Sequence, residues 1–498
     1  MKNSTRESMK KVSQTKLNIV SSLLLQMVSG VCGLILPRYL LSSFGSETNG
    51  LVSSVAQLLG YAVLLEGGIG GVMRVALYKP LANNDMGEVS VIFHSISSSF
   101  RRISYIFIGF AFVLAVVMKF LVKTRYDWLY VFSLVLILSC SNYFSYYSAL
   151  PHRLLMTADQ KLYIIQFTQA VTIVANLLMC LLVLRLGGGI HAVKLTSMTV
   201  YLINPLLMHG YVKRKYPIRK PSDGETVSIP QKRDGVIHHL SYFIHRNTDV
   251  VILSLFNSLV NISIYSIYRT VIGILERLLL SISSGISSSV GNLIARAEIK
   301  QLNRLVDKYE AWNNAFATAV ATVSAIMILP FISVYTSGVT DAQYIQPVFA
   351  GLMIAGSYAY SIRHPFGCVV SAAGHYRQTN SGAIGEVVLN LGLSLLLVKP
   401  LGLVGVALGT FVAMTFRTIH TVWYLSRNIL HRPVHKFLLK LGCNLVMSAL
   451  LIHGIPRFIE VNAPDILGLV ICAVKVSVVV FPVFFAGNAL LSIKSLRA

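Results

Sequence analysis

The stretch Ile103-Ser104-Tyr105-Ile106-Phe107-Ile108-Gly109-Phe110-Ala111-Phe112-Val113-Leu114-Ala115-Val116-Val117-Met118 carries no charge and is bracketed by Arg101-Arg102 and Lys119. A helix of about twenty apolar residues crosses a hydrocarbon core of roughly 30 Å. Comparable runs recur from Leu17 to the C-terminus, and their spacing predicts about fourteen transmembrane helices. Backbone polar groups must be satisfied internally in lipid, so the expected fold class is an all-α integral membrane bundle. Composition agrees: of 498 residues, 54% are hydrophobic and only 12% charged, where a soluble domain is about a quarter charged.

Outward from that stretch, residues 1–16 form a polar, basic leader with no short apolar core before a small-residue cleavage site, so they read as cytoplasmic and not as a cleaved signal. Helices one to six occupy an N-terminal lobe, 17–210. A polar linker rich in Lys and Pro follows at 211–235 and is read as cytoplasmic. Helices seven to twelve make a second lobe, 236–430. Two further helices and a short tail complete 431–498. The expected spans include 17–38, 49–77, 236–257, 262–294, 346–371 and 437–455.

The net charge of +24 would suggest nucleic acid in a soluble protein, but here cytoplasmic loops account for most of it. Lys213, Arg214, Lys215, Arg427, Arg432, Lys436 and Lys440 all fall on the side that an inward N-terminus makes cytoplasmic. Loops near Ser43, Ser258, Ser337 and Asn462 carry few basic groups, and Lys119, Lys123 and Arg125 stand against the pattern. Both termini are therefore expected in the cytoplasm. The six cysteines lie in apolar stretches without paired spacing and read as small packed hydrophobes.

The two lobes repeat one another weakly. Ala175-Asn176-Leu177 through Leu195-Thr196 align without a gap on Leu389-Asn390-Leu391 through Gly409-Thr410. Parallel repeats of this kind place binding sites near the membrane midplane, at the repeat interface.

Charges inside membrane helices cost at least a few kcal/mol and need partners, water or an interface. His238, Tyr242, His245 and Asp249 share one face of helix seven, with Arg246 three residues before Asp249. That face either lines a cavity or pairs internally to tie the helix to its neighbours. Tyr265, Arg269, Gly273 and Glu276 share a face of helix eight, with Arg277 about 100° away. Glu66, Gly70 and Arg74 run along helix two through a glycine-rich stretch that lacks the context of a phosphate loop. Helix eleven offers Glu386, Asn390 and Ser394; helices ten and twelve add Arg363 and Arg417. Arg38 follows Pro37 on helix one. Guanidinium groups suit phosphate or carboxylate, so Arg38, Arg74, Arg246, Arg269, Arg277, Arg363 and Arg417, with Tyr265, are the candidate substrate-binding set. Glu66, Asp249, Glu276 and Glu386 are candidates to couple transport to H⁺ or Na⁺. No GxSxG elbow or HExxH motif is present, and a transporter is expected in place of an enzyme.

Leu36-Pro37-Arg38-Tyr39-Leu40, Phe44-Gly45, Asn49-Gly50-Leu51, Thr248-Asp249, Ile264-Tyr265-Ser266, Ala372-Ala373-Gly374-His375 and the segment from Gly402 to Thr410 together resemble the polysaccharide-transport branch of the multidrug/oligosaccharidyl-lipid/polysaccharide exporter superfamily. The resemblance spans nearly the whole chain. It implies two six-helix lobes in a V around a central basic cavity, plus two C-terminal helices. It further implies an undecaprenyl-diphosphate-linked oligosaccharide as substrate, moved across a bacterial cytoplasmic membrane by alternating access with no cofactor beyond a coupling ion. Expected partners are membrane lipids, a polysaccharide polymerase and chain-length proteins, with no nucleic acid, and a monomer is expected. Arg38, Asp249 and Tyr265 occupy motif positions. Glu66 departs from the Asp that many relatives carry there. Rival cargoes on the same scaffold are drugs, in an antiporter, or peptidoglycan precursors. A membrane glycan polymerase or ligase would be expected to carry a large outward loop.

Overall fold

A computed structural model of the chain describes residues 2–62, 64, 69–219, 248–296, 298–461 and 465–497. Among these the fold is all-α, with no strand. Eight helices are long and apolar enough to cross a membrane.

In chain order the elements are α1 (Lys2–Gly60), α2 (Ile69–Ala82), α3 (Met86–Leu121), α4 (Trp128–Phe144), α5 (Leu150–Ala158), α6 (Leu162–Arg185) and α7 (Ile190–Lys215). A helix over 248–256, α8, precedes α9 (Leu259–Ala295), α10 (Ile299–Tyr335), α11 (Pro347–Ile362) and α12 (His364–Ala373). The series ends with α13 (Tyr376–Asn428), α14 (Val434–Phe458) and α15 (Ile466–Arg497). The chain divides into two compact units, Met1–Leu240 and Ser241–Ala498.

Two helices each fold two passes, and glycine makes both folds. Gly45 in α1 and Gly402 in α13 adopt φ of 77° and 55°, a region that side chains with a Cβ rarely occupy. Helix one therefore runs on past the expected end at residue 38. The expected tenth helix is broken in two at Arg363, where Pro365 in the first turn of α12 starts a new helix. Between α4 and α5 the chain makes one π turn, Ser145–Ala149.

Much of the surface is apolar, as a lipid-facing exterior requires: Phe120, Leu396, Leu439 and Val470 all project outward. Cys443 also lies exposed, which corrects the expectation that every cysteine is packed inside. In the second unit, Phe366 and Phe437 meet edge to face at 5.6 Å inside a core with Leu302, Val306 and Leu425. A separate core of Val476, Val480 and Phe484 packs α15 onto α10.

Local partners explain two of the three basic residues that stand against the charge pattern. Lys119 donates to the carbonyls of Thr124 and Tyr126, and Arg125 pairs with Glu47 at 3.1 Å. Past the end of α7, Tyr216 donates to Asp159 at 2.6 Å while Lys161 pairs with the same carboxylate at 2.7 Å. Burial pushes the Tyr216 hydroxyl well above its ordinary range, and the bond to Asp159 adds to the shift. The expected linker lies outside the described residues from 220 onward.

Candidate functional site

Three polar clusters in the second unit hold site residues expected from the sequence. The first centres on Asp249, which is 2% exposed. Tyr265 on α9 donates to its Oδ2 at 2.9 Å, and Thr410 on the second arm of α13 donates to both carboxylate oxygens, at 3.0 and 2.9 Å. Asn390, on the first arm, donates its amide to Thr410 at 2.9 Å. Asn390 is fully buried, yet its Oδ1 accepts no hydrogen bond. An acceptor oxygen left idle beside a buried carboxylate is a gap that a donor or a cation would fill.

The glycines of Gly402-Leu403-Val404-Gly405-Val406-Ala407-Leu408-Gly409-Thr410 build this cluster. Gly402 turns the chain between the arms. A Cβ on Gly405 would lie 2.3 Å from the Leu397 carbonyl oxygen, and one on Gly409 would lie 2.5 Å from Ser394 Oγ. Small residues four apart let the arms approach this closely, and the approach brings Thr410 to Asn390. The first unit repeats the device at the aligned position: Asn176 on α6 accepts from Ser197 on α7 at 2.6 Å. Its partner sits one residue beyond Thr196, the residue that aligns with Thr410.

The second cluster pairs Arg269 with Glu276 within α9, through bonds of 3.0 and 3.3 Å, and Ser357 on α11 donates to the same carboxylate at 3.0 Å. Glu276 lines a small cavity with Ile272, Ala317, Ser324, Ser357 and Ser361.

The third cluster sets two guanidinium groups on one carboxylate. Arg363 at the break between α11 and α12 and Arg417 on α13 lie 3.3 and 3.7 Å from Glu386. Arg417 also donates to the Thr379 carbonyl at 2.7 Å. Gly382 makes room, since a Cβ there would lie 2.5 Å from Arg417 Nη1. The Arg363 guanidinium rests over the Tyr360 ring, 5.2 Å from its centre. One carboxylate against two guanidiniums leaves a surplus positive charge in a half-desolvated site.

The sequence-derived set is thus distributed, not gathered into a single constellation. Asp249 with Tyr265, Arg269 with Glu276, and Arg363 with Arg417 and Glu386 form separate groups. Arg277 is exposed and belongs to none of them. Arg38 and Arg74 are half-buried in the first unit. Glu66, Arg246 and the helix-seven residues His238, Tyr242 and His245 lie outside the described residues.

Arg432 and Lys440, expected among the cytoplasmic charges, are tied into an ion-pair network around Glu310. Arg432 bonds both Asp307 and Glu310, and Lys440 reaches Glu310 at 3.5 Å. Glu310 and Lys440 are buried, with exposures of 1% and 8%. The partners are more than a hundred residues apart in sequence, so no spacing rule connects them.

No protein-family model matches this sequence, and no curated protein does. Solved structures do match in fold. A lipid II flippase MurJ in an inward closed conformation superposes with a TM-score of 0.69 at 16% identity, over 94% of this chain and 98% of that one. A multidrug resistance MATE family transporter of the MOP superfamily, inward-facing, gives 0.57 at 13% identity over 82% and 98%. The MATE multidrug transporter DinF-BH, in complex with R6G, gives 0.59 at 15% over 84% and 96%. The chain is a multi-pass membrane protein with the fold of flippases and transporters. Within that class, the likeness takes in nearly the full length of the lipid II flippase.

Proposed function

We propose that this protein is a flippase that carries an undecaprenyl-diphosphate-linked oligosaccharide repeat unit from the inner to the outer leaflet of a bacterial cytoplasmic membrane. It does so by alternating access, for O-antigen, capsule or exopolysaccharide synthesis, with both termini cytoplasmic. The surplus charge at Arg363, Arg417 and Glu386 carries this reading. A diphosphate presents paired oxygens to the planar donor set of a guanidinium, and a cargo of cations would be repelled there. Polymerase and chain-length proteins would receive the product.

Coupling to an ion gradient is assigned to Asp249. Its carboxylate oxygens, the Tyr265 and Thr410 hydroxyls and the idle Asn390 Oδ1 form an all-oxygen set of the kind hard cations prefer. A proton on the same carboxylate would serve the alternative coupling. The fold likeness to a lipid II flippase favours a second cargo with the same anchor chemistry, the peptidoglycan precursor.

The test is translocation of a fluorescent undecaprenyl-diphosphate glycan in proteoliposomes. Arg363→Ala is expected to abolish flipping at normal protein levels, and wild-type flipping by that variant would remove the role of the site. Rescue of cells depleted of their lipid II flippase would select the peptidoglycan precursor over the repeat unit.

A further inference from the structure

In the first unit, two imidazoles on different helices point nitrogen to nitrogen. His152 on α5 places its Nε2 3.3 Å from Nδ1 of His209 on α7. His152 is buried, whereas His209 is exposed.

The tautomer of His152 is set by its other nitrogen. Nδ1 contacts the Ser148 carbonyl oxygen, which has no hydrogen to give, so Nδ1 carries the proton and donates it. Nε2 is then an unprotonated lone pair aimed at His209. An imidazole whose second nitrogen donates to a backbone carbonyl is the arrangement that orients metal-ligating histidines. Ser148 lies in the π turn Ser145–Ala149, and such turns are frequent at functional sites. Phe93 holds the His152 ring edge-on, with centroids 5.4 Å apart.

The separation fits one metal ion. Two nitrogens at about 2.0–2.1 Å from a tetrahedral zinc stand about 3.3–3.4 Å apart, and the rings already have that spacing. We propose that His152 Nε2 and His209 Nδ1 form a binding site for a divalent transition metal of the zinc class, tying α5 to α7. Among the described residues no group of three or more His, Cys, Asp or Glu side chains gathers around a metal position. The site therefore supplies two protein donors, and water completes the tetrahedron through the exposed His209 side. Such a site is open and exchangeable, unlike a closed structural one. Binding takes the Nε2–H tautomer of neutral His209: its single hydrogen moves from Nδ1 to Nε2, and Nδ1 turns its lone pair to the metal.

The test uses full-length protein in detergent, stripped of metal and titrated with Zn²⁺ alone. Wild type is expected to bind one zinc more than His209→Gln, a substitution at an exposed position, or to bind that zinc at least tenfold more tightly. His209→Cys, which restores a donor, is expected to recover the extra equivalent. Zinc K-edge absorption of wild type should show two imidazole nitrogens in the shell. Equal zinc stoichiometry and affinity in wild type, His209→Gln and His209→Cys overturns the site and leaves the pair as a hydrogen bond between rings.

Discussion

The Thr410 hydroxyl bonds both oxygens of Asp249, at 3.0 and 2.9 Å, although the two residues are 161 positions apart. One hydroxyl on the second arm of α13 thus holds a buried carboxylate on α8. Asn390 orients that hydroxyl from behind, so the carboxylate reports any movement between the arms of α13 and α8.

Asp249→Asn is expected to abolish dependence of transport on an imposed Na⁺ or H⁺ gradient. Thr410→Val should raise the half-saturating ion concentration about tenfold, the loss of about 1.4 kcal/mol from one ligand. Transport in vesicles under each gradient measures both, and an unaltered gradient response in Asp249→Asn would exclude that carboxylate from coupling.

Gly409→Ala should destabilise the α13 hairpin by about 1–3 kcal/mol, the usual cost of overpacking. The added methyl would lie 2.5 Å from Ser394 Oγ and 2.9 Å from Ser394 N. Thermal unfolding in detergent provides the check. Gly392→Ala is the control, because nothing lies within 4 Å of its Cβ position.

Glu386→Gln leaves Arg363 and Arg417 facing each other without a counter-charge. We expect weaker folding stability together with tighter retention of a diphosphate lipid, because the anion now supplies the missing negative charge. Binding of a labelled undecaprenyl diphosphate to purified protein separates these effects, and weaker binding than wild type would contradict the assignment.

Glu310→Ala strands the buried Lys440 and leaves Arg432 to Asp307 alone, a change expected to cost about 3–5 kcal/mol. Replacing Glu310, Arg432 and Lys440 together with methionine should recover most of that loss, since matched apolar side chains carry no desolvation cost. Denaturation in mixed micelles compares the variants.

Some of this chemistry was visible as spacing. Arg269 and Glu276 lie two turns apart on one helix, and the structure pairs them directly. The Asn176 and Asn390 repeat appeared as a gapless alignment, and each residue does pin a hairpin. The Glu310 network did not appear, because its members come from three separate segments and each basic residue resembled ordinary loop charge.

Sequence alone determined that this chain is a membrane bundle, because the lipid interior constrains every backbone amide and writes that constraint into runs of about twenty apolar residues. It also located the helices that carry the buried carboxylates Asp249, Glu276 and Glu386. Only the tertiary structure decided which charges neutralise one another, where glycine lets helix arms touch, and that Asn390 keeps an idle oxygen beside Asp249. Those outcomes depend on distances of a few ångströms between segments remote in sequence, and apolar periodicity along one helix carries no information about the partner it meets.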